Sequence, residues 1–323
     1  MINRRLLLQA VPPWLLITLA LALILVLVSN DHGAHAEEDG HAVVTREIDK
    51  SAKTTHLKLT GQSVTDKTLD ELGASSDLLS LDLRSSRVTD TGLKHLKKFP
   101  NLRSLNLSST SITDDGLSHL MQLEELRTLR LGSTVVSDKG MEAIRGHKKL
   151  VSLILSETDV TDAGMKHVAA IRSLRELYVE HTIVSDKGLI QLQRLKQLRL
   201  LGLAETQITD SGLFHLKGLV ELTHLSVPVP ALTNDGVKHL RGLRKLEHLD
   251  LSYTAITDAC LCDLAGMINL RFLDLSNTKL TDGRIDKLVK MKSLQVLYLF
   301  DTQVTDEGAR RLQKALPETK ISR

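Results

Sequence analysis

From Thr54 to Pro317 the chain repeats one order of apolar and polar positions every 24 residues, eleven times, without an insertion or deletion. The third unit shows it: Leu102, Leu105 and Leu107, then Thr110, Ile112, Thr113, Asp114 and Gly116, then Leu117, Leu120 and Leu123. The leading leucine recurs at Leu78, Leu126, Leu150, Leu174, Leu198, Leu222, Leu246, Leu270 and Leu294, and only the first unit has Thr54 instead. Within each unit the period changes. Leu105 and Leu107 alternate with Ser104 and Asn106, a period of two that predicts a short strand with one buried face. Leu117, Leu120 and Leu123 fall three apart and predict one stripe of a helix. Thr113 stands where it can cap the first free N–H groups of that helix, and Asp114 where it meets the positive end of the helix dipole.

A glycine column, Gly92, Gly116, Gly140, Gly164, Gly188, Gly212, Gly236 and Gly308, sits early in the helix and predicts a close approach to the neighbouring unit. It is lost at Thr68, Cys260 and Arg284. No single unit can bury its leucines; stacked units can, with the strands in one parallel sheet and the helices on the other side. Strands stack more closely than helices, so the sheet is expected on the concave face and the helices on the convex one. The segment Leu316 to Ile321 reads as a last, incomplete strand that covers the end, so that residues 318–323 form a C-terminal cap.

The strand portion resembles the leucine-rich-repeat family, L-x-x-L-x-L-x-x-N/C-x-L. Threonine takes the ninth place here, at Thr110, Thr134, Thr158, Thr182, Thr206, Thr254, Thr278 and Thr302. The I-T-D-x-G-L segment is similar to the 24-residue repeats of exported bacterial proteins, notably of planctomycete type. The resemblance implies an α/β solenoid and a binding role. The repeats are also similar to those of F-box substrate receptors, which implies a receptor in a ubiquitin ligase as an alternative.

The N-terminus breaks the pattern. Arg4 and Arg5 precede an apolar run from Leu6 to Val28, in which only Thr18 is polar between Trp14 and Val28. A basic flank before such a run is an export signal or a membrane anchor. Ala34-His35-Ala36 offers a cleavage pattern, and Arg4-Arg5-Leu6 loosely resembles a twin-arginine signal. Residues 1–30 are therefore read as signal peptide or hydrophobic transmembrane helix and residues 31–53 as linker and N-terminal cap. Both readings put the repeats outside the cytoplasm.

Composition narrows the picture further. Apolar residues make up 42% of the 323 but aromatics only 2%, so the core must be aliphatic. The 42 basic and 39 acidic residues nearly balance, and no basic stripe of a nucleic-acid binder is visible along the chain. Cys260 and Cys262 fall two apart at a helix start, where their side chains diverge, so no internal disulfide is expected.

If the fold is right, the third, fifth, seventh and eighth places of the units form columns on the exposed side of the sheet. Tyr178, Tyr253, Phe272, Tyr298 and Phe300 lie in these columns, and the last four predict one aromatic patch that either contacts a partner or shields the C-terminal end of the core. His224 and His248 share one column and Asp250 and Asp274 the next, a set that reads as ordinary solvated surface, with a polar protein contact or a transition metal as the sharper alternatives. Glu157, Glu176, Glu180 and Glu205, beside His181, suggest a basic ligand or a solvated face. In the eighth unit Ser226-Val-Pro228-Val-Pro230 replaces the usual turn, and this predicts a kink that exposes Val229. His95, His119, His167, His215 and His239 follow from the repeat and belong to the helical side. No phosphate loop, nucleophile elbow or H-E-x-x-H is present. The expected role is non-catalytic: an extracytoplasmic module that binds a protein partner, with no cofactor and no nucleic acid, held to the membrane if the N-terminal segment is uncleaved. A structural or adhesive envelope protein is the other reading.

Overall fold

The computed structural model describes residues 43–49 and 54–323. The N-terminal apolar run and nearly all of the linker lie outside these residues. Among the described residues no helix is long and apolar enough to cross a membrane.

Thirteen strands, numbered here in chain order, form one sheet in which sequence neighbours are spatial neighbours. Strand β1 (Val43–Asp49) runs antiparallel to β2 (Thr54–Thr60). From β2 to β13 (Lys320–Ser322) every pairing is parallel, in register from β3 (Leu78–Asp82) onward, so each place of one repeat faces the same place of the next. Between β2 and β3 the register slips once, beside Thr55 and His56. On the other side of the sheet lie short helices, α-helical over seven residues in Asp138–Ile144, Asp162–Val168 and Asp186–Leu192. In three other repeats one α turn passes into a 3-10 turn, as Asp114–Leu117 does into Ser118–Gln122, and the last repeat carries a ten-residue helix, Asp306–Ala315. Between the layers runs a continuous aliphatic core of leucines with valine, isoleucine and methionine.

Two polar devices shape each strand's exit. The ninth-place threonines turn inward and donate to the sixth-place carbonyl, Thr110 Oγ1 to the Leu107 carbonyl at 2.6 Å and likewise through Thr302. The eighth-place residues take left-handed backbone angles, among them Ser109, Glu157, His181, Tyr253 and Asp301 with φ of 51–57°. Their N–H groups donate to the next repeat, as Ser109 does to the Gly132 carbonyl at 2.8 Å. Those bonds hold a conformation that L residues otherwise avoid.

The helix start carries a second ladder. Thr113 caps its helix as the sequence predicts, accepting from the Asp115 N–H at 3.3 Å. Asp114 instead reaches forward into the following repeat. Its carboxylate accepts from the Ser137 N–H at 2.7 Å and the Ser137 hydroxyl at 2.6 Å. The same pair of bonds joins Asp66 to Thr89, Asp90 to Thr113, Asp162 to Ser185, Asp210 to Thr233 and Asp282 to Thr305.

This clamp explains the glycine column. A Cβ on Gly116 would overlap Asp90 Oδ1 and lie 2.9 Å from its Cγ, and one on Gly188 would lie 2.7 Å from Asp162 Oδ1. The three exceptions obey the same rule. Ahead of Thr68 stands the β1–β2 hairpin rather than a repeat, and its hydroxyl accepts from the Thr65 N–H. Ahead of Cys260 the acid is replaced by Asn234, whose amide accepts from the Thr257 N–H and donates to the Thr257 hydroxyl. Ahead of Arg284 the glycine has moved one residue earlier, to Gly283, and a 3-10 turn, Ile285–Lys290, replaces the α-helix.

One core position is out of character. His147 takes a place filled elsewhere by Phe99, Leu123, Ile171, Leu195, Leu219, Leu243, Met267 and Met291. It is buried, and its Nε2 has no hydrogen-bond partner among the described residues. Burial pushes its pKa below the ordinary 6.5.

Two predictions follow from these ladders. Gly116→Ala should lower stability by about 2 kcal/mol through overlap with the carboxylate. Asp90→Ala should cost about 2 kcal/mol by stranding two donors, and the double variant should cost clearly less than the sum of the two. Urea denaturation of the four proteins measures this, and strict additivity would contradict the shared cause. For His147, the unfolded chain takes up a proton near pH 6.5 that the folded chain resists. Stability should therefore fall as pH drops from about 7 to 5. His147→Leu should raise stability by about 1–2 kcal/mol and flatten that acid limb in melts recorded across the range.

Candidate functional site

The exposed places of the sheet are set by register, and the C-terminal repeats use them for rings. In β9 (His224–Ser226), β10 (His248–Asp250) and β11 (Phe272–Asp274) the third place holds His224, His248 and Phe272, each the register partner of the next. The imidazoles stack with centroids 5.4 Å apart, and His248 lies nearly parallel to Phe272 at 4.0 Å. Tyr298, on β12 (Val296–Tyr298), meets Phe272 edge to face at 5.4 Å and Phe300 at 5.5 Å. The histidine pair and the aromatic patch, separate in sequence, are one column of five rings crossing four strands.

The column is half-buried, from exposed His224 to Phe300 at 43% exposure. Burial, then the neighbouring His224, holds the His248 pKa below its usual value, while Asp250 and Asp274 oppose this. The rings stand on the sheet and stack against one another, so they present mainly their edges to solvent. Edge-on rings offer a rigid apolar ridge at low entropic cost, the kind of surface that anchors protein interfaces.

The other predicted site residues fall differently. Tyr253 occupies an eighth-place turn at φ 55° and is 62% exposed, and among the described residues it makes no ring contact with the column. Asp250 and Asp274 face the rings but serve the turns. Asp250 accepts from the Ser252 N–H and hydroxyl and from the Ser226 hydroxyl at 3.0 Å, and Asp274 accepts from the Ser276 N–H at 2.8 Å. Among the described residues no group of three metal-ligating side chains converges.

Three members of the acidic cluster have local polar partners. Glu157 accepts from the Ser133 hydroxyl, Glu180 from the Ser156 hydroxyl, and Glu205 lies 3.2 Å from the His181 ring. Gly202 leaves the room that Tyr178 and Glu180 fill beside it. Burial, then Glu176 and Glu180, pushes the Tyr178 phenol pKa up.

Val229 corrects the sequence reading. It is 1% exposed and belongs to the core. A β-branched residue resists the left-handed turn that the eighth place adopts elsewhere, and Val229 alone among the eighth-place residues of units two to eleven is missing from that set. Its N–H bonds to the Val227 carbonyl at 2.9 Å, two residues back. Pro230 in the ninth place is exposed, so Val229 fills the space that a buried threonine takes in other repeats. The Val-Pro-Val-Pro segment tightens the turn rather than opening it.

The profile of the family described as Leucine Rich repeat matches residues 74–97, 100–121, 125–144, 242–259 and 290–312. The chain thus carries leucine-rich repeats. No curated protein matches it. Among solved structures it is similar to an internalin, InlF, of Listeria monocytogenes, with a TM-score of 0.63 and 20% identity over 82% of this chain and 85% of that one. It is also similar to internalin C2 of the same organism, with a TM-score of 0.50 and 24% identity over 66% of this chain and 84% of that one. At such identities the likeness is one of fold.

Val229→Ala should lower stability by about 2 kcal/mol as a core truncation. Tyr253→Ala should change it by less than about 0.5 kcal/mol. Comparable urea midpoints for the two variants would contradict this placement of Val229.

Proposed function

We propose that the protein is a non-catalytic binding module that engages a protein partner through the sheet face of repeats eight to eleven. The observation that carries this reading is the five-ring column. In a chain so poor in aromatics, three of the seven outside the N-terminal segment, Phe272, Tyr298 and Phe300, join two histidines in one strip on the sheet face. Such a strip supplies the rigid anchors of an interface, with the half-buried Asp250 and Asp274 as polar groups beside it. The sheet face is open along its length and lacks the enclosed, converging polar groups that catalysis calls for.

The apolar run behind Arg4 and Arg5 supports export, with the repeats outside the cytoplasm and the run either cleaved or kept as an anchor. The likeness of the I-T-D-x-G-L repeat to those of exported bacterial proteins supports the same location.

Full-length protein carrying Phe272→Ala, Tyr298→Ala and Phe300→Ala should keep its fold and lose at least about tenfold in affinity for the partner recovered from envelope extracts. Glu157→Gln on the remote repeats should leave that affinity unchanged. Unaltered recovery by the triple variant would remove the column from the interface. Alkaline phosphatase fused at the C-terminus should be active if the repeats are outside the cytoplasm.

A further inference from the structure

The near balance of charge in the composition conceals a segregation that the fold creates. The loops leading into the strands stack along one edge of the solenoid, tied by bonds such as Asn269 Nδ2 to the Arg244 carbonyl at 2.7 Å. One column of this edge, two residues before each leading leucine, holds five exposed cations: Lys148, Arg172, Lys196, Arg244 and Lys292. Between Lys148 and Lys292 the column contains no carboxylate. Its two remaining members are Val220 and Ile268, 51% and 62% exposed.

Among the described residues none of the five cations forms an ion pair. Arg172 and Lys196 donate to the carbonyls of Arg194 and Gly218, and Lys292 to that of Ala315. Three residues further along the chain, Arg175 and Arg199 add an inner row, joined by the backbone bond from the Arg199 N–H to the Arg175 carbonyl at 2.7 Å. Two acids beside this row are already engaged, Glu221 with Lys245 at 2.7 Å and Glu247 with Arg271 at 3.5 Å. Six repeat steps at the strand spacing of ~4.8 Å make an edge of roughly 29 Å.

Unpaired cations in a row call for an anionic partner. The two aliphatic side chains decide which kind. A soluble polyanion gains nothing from exposed Val220 and Ile268, and a single-stranded nucleic acid calls for aromatic rings to stack its bases. This edge presents no exposed ring. A lipid surface uses both features: its anionic headgroups attract the cations, and its acyl boundary receives the aliphatic side chains. We infer that the strand-leading edge from Lys148 to Lys292 is a docking surface for an anionic membrane, with Val220 and Ile268 inserting between the headgroups. This surface is independent of the protein-binding column and leaves that column free while the edge is docked.

The test keeps the full chain and reports on the edge alone. In a Cys262→Ser background, Ile268→Cys is labelled with an environment-sensitive nitrobenzoxadiazole probe. Cys260 stays unreactive, since burial pushes its thiol to a pKa of about 12. Reconstituted into phosphatidylcholine vesicles containing phosphatidylglycerol, the probe should brighten and shift to the blue, and high salt should reverse the change. In phosphatidylcholine alone it should remain in a watery environment. Replacing Lys148, Arg172, Lys196 and Arg244 by glutamine should weaken the anionic-lipid response about tenfold or more, with the thermal melt unchanged. A probe at Lys187→Cys, on the opposite edge, should not respond. Equal responses with both lipids, or at both probe sites, would overturn the proposal. So would tight binding of dextran sulfate with no response of residue 268 on anionic vesicles, which would assign the edge to a soluble polyanion.

Discussion

At nine of the ten junctions between repeats an aspartate at the helix start holds the next repeat by two bonds at once, one to a backbone N–H and one to the hydroxyl that caps the following helix. The stacked architecture depends on this clamp because helices pack loosely compared with strands. The sheet side has its own ladder of backbone bonds at a spacing no side chain needs to set. Backbone bonds also cross several junctions beside the helix caps, such as the Asp159 N–H to the Val136 carbonyl at 3.0 Å, and the charge-assisted bond at the cap adds to the register there. The carboxylate needs space, and glycine three residues after the next cap provides it. Where Asn234 replaces the acid, Cys260 replaces the glycine, and beside Asp258 the glycine stands one place early, at Gly283.

On the sheet side the constraint is the turn. A left-handed eighth place and an inward ninth-place hydroxyl send every strand out along the same path. Once that path repeats, a residue's place in the unit decides where it points, and side chains far apart in sequence stack into columns. The eighth repeat shows what happens when the turn chemistry changes. Val229 cannot take the left-handed angle easily, so the turn closes by a shorter bond and the valine goes inward. Exposed His224 and half-buried Ser226 keep their places, so the ring column begins there undisturbed.

The column and the cationic edge arise from the same stacking. Neither is a motif along the chain. His224, His248 and Phe272 lie 24 residues apart, as do Lys148, Arg172 and Lys196, and only the parallel register brings each set side by side. The ring strip and the charged strip face different directions because they occupy different places in the unit. One molecule therefore presents two chemically distinct surfaces.

The repeat pattern by itself determined the parallel solenoid, the aliphatic core, the helix caps and the exposed columns, because a 24-residue period without insertions admits one stacking in which the leucines are buried. It also located Phe272, Tyr298, Phe300, His224 and His248 on the exposed side of their strands, since alternation along a strand is a local property. Tertiary structure alone decided the rest. The forward reach of Asp114, the union of histidines with aromatics, the solitary stance of Tyr253, the local polar contacts of Glu157 and Glu205, the burial of Val229 and the orphaned His147 all depend on what the neighbouring repeat places within a few ångströms. A sequence records the place of each residue in its own unit, and contacts between units require the stack to form.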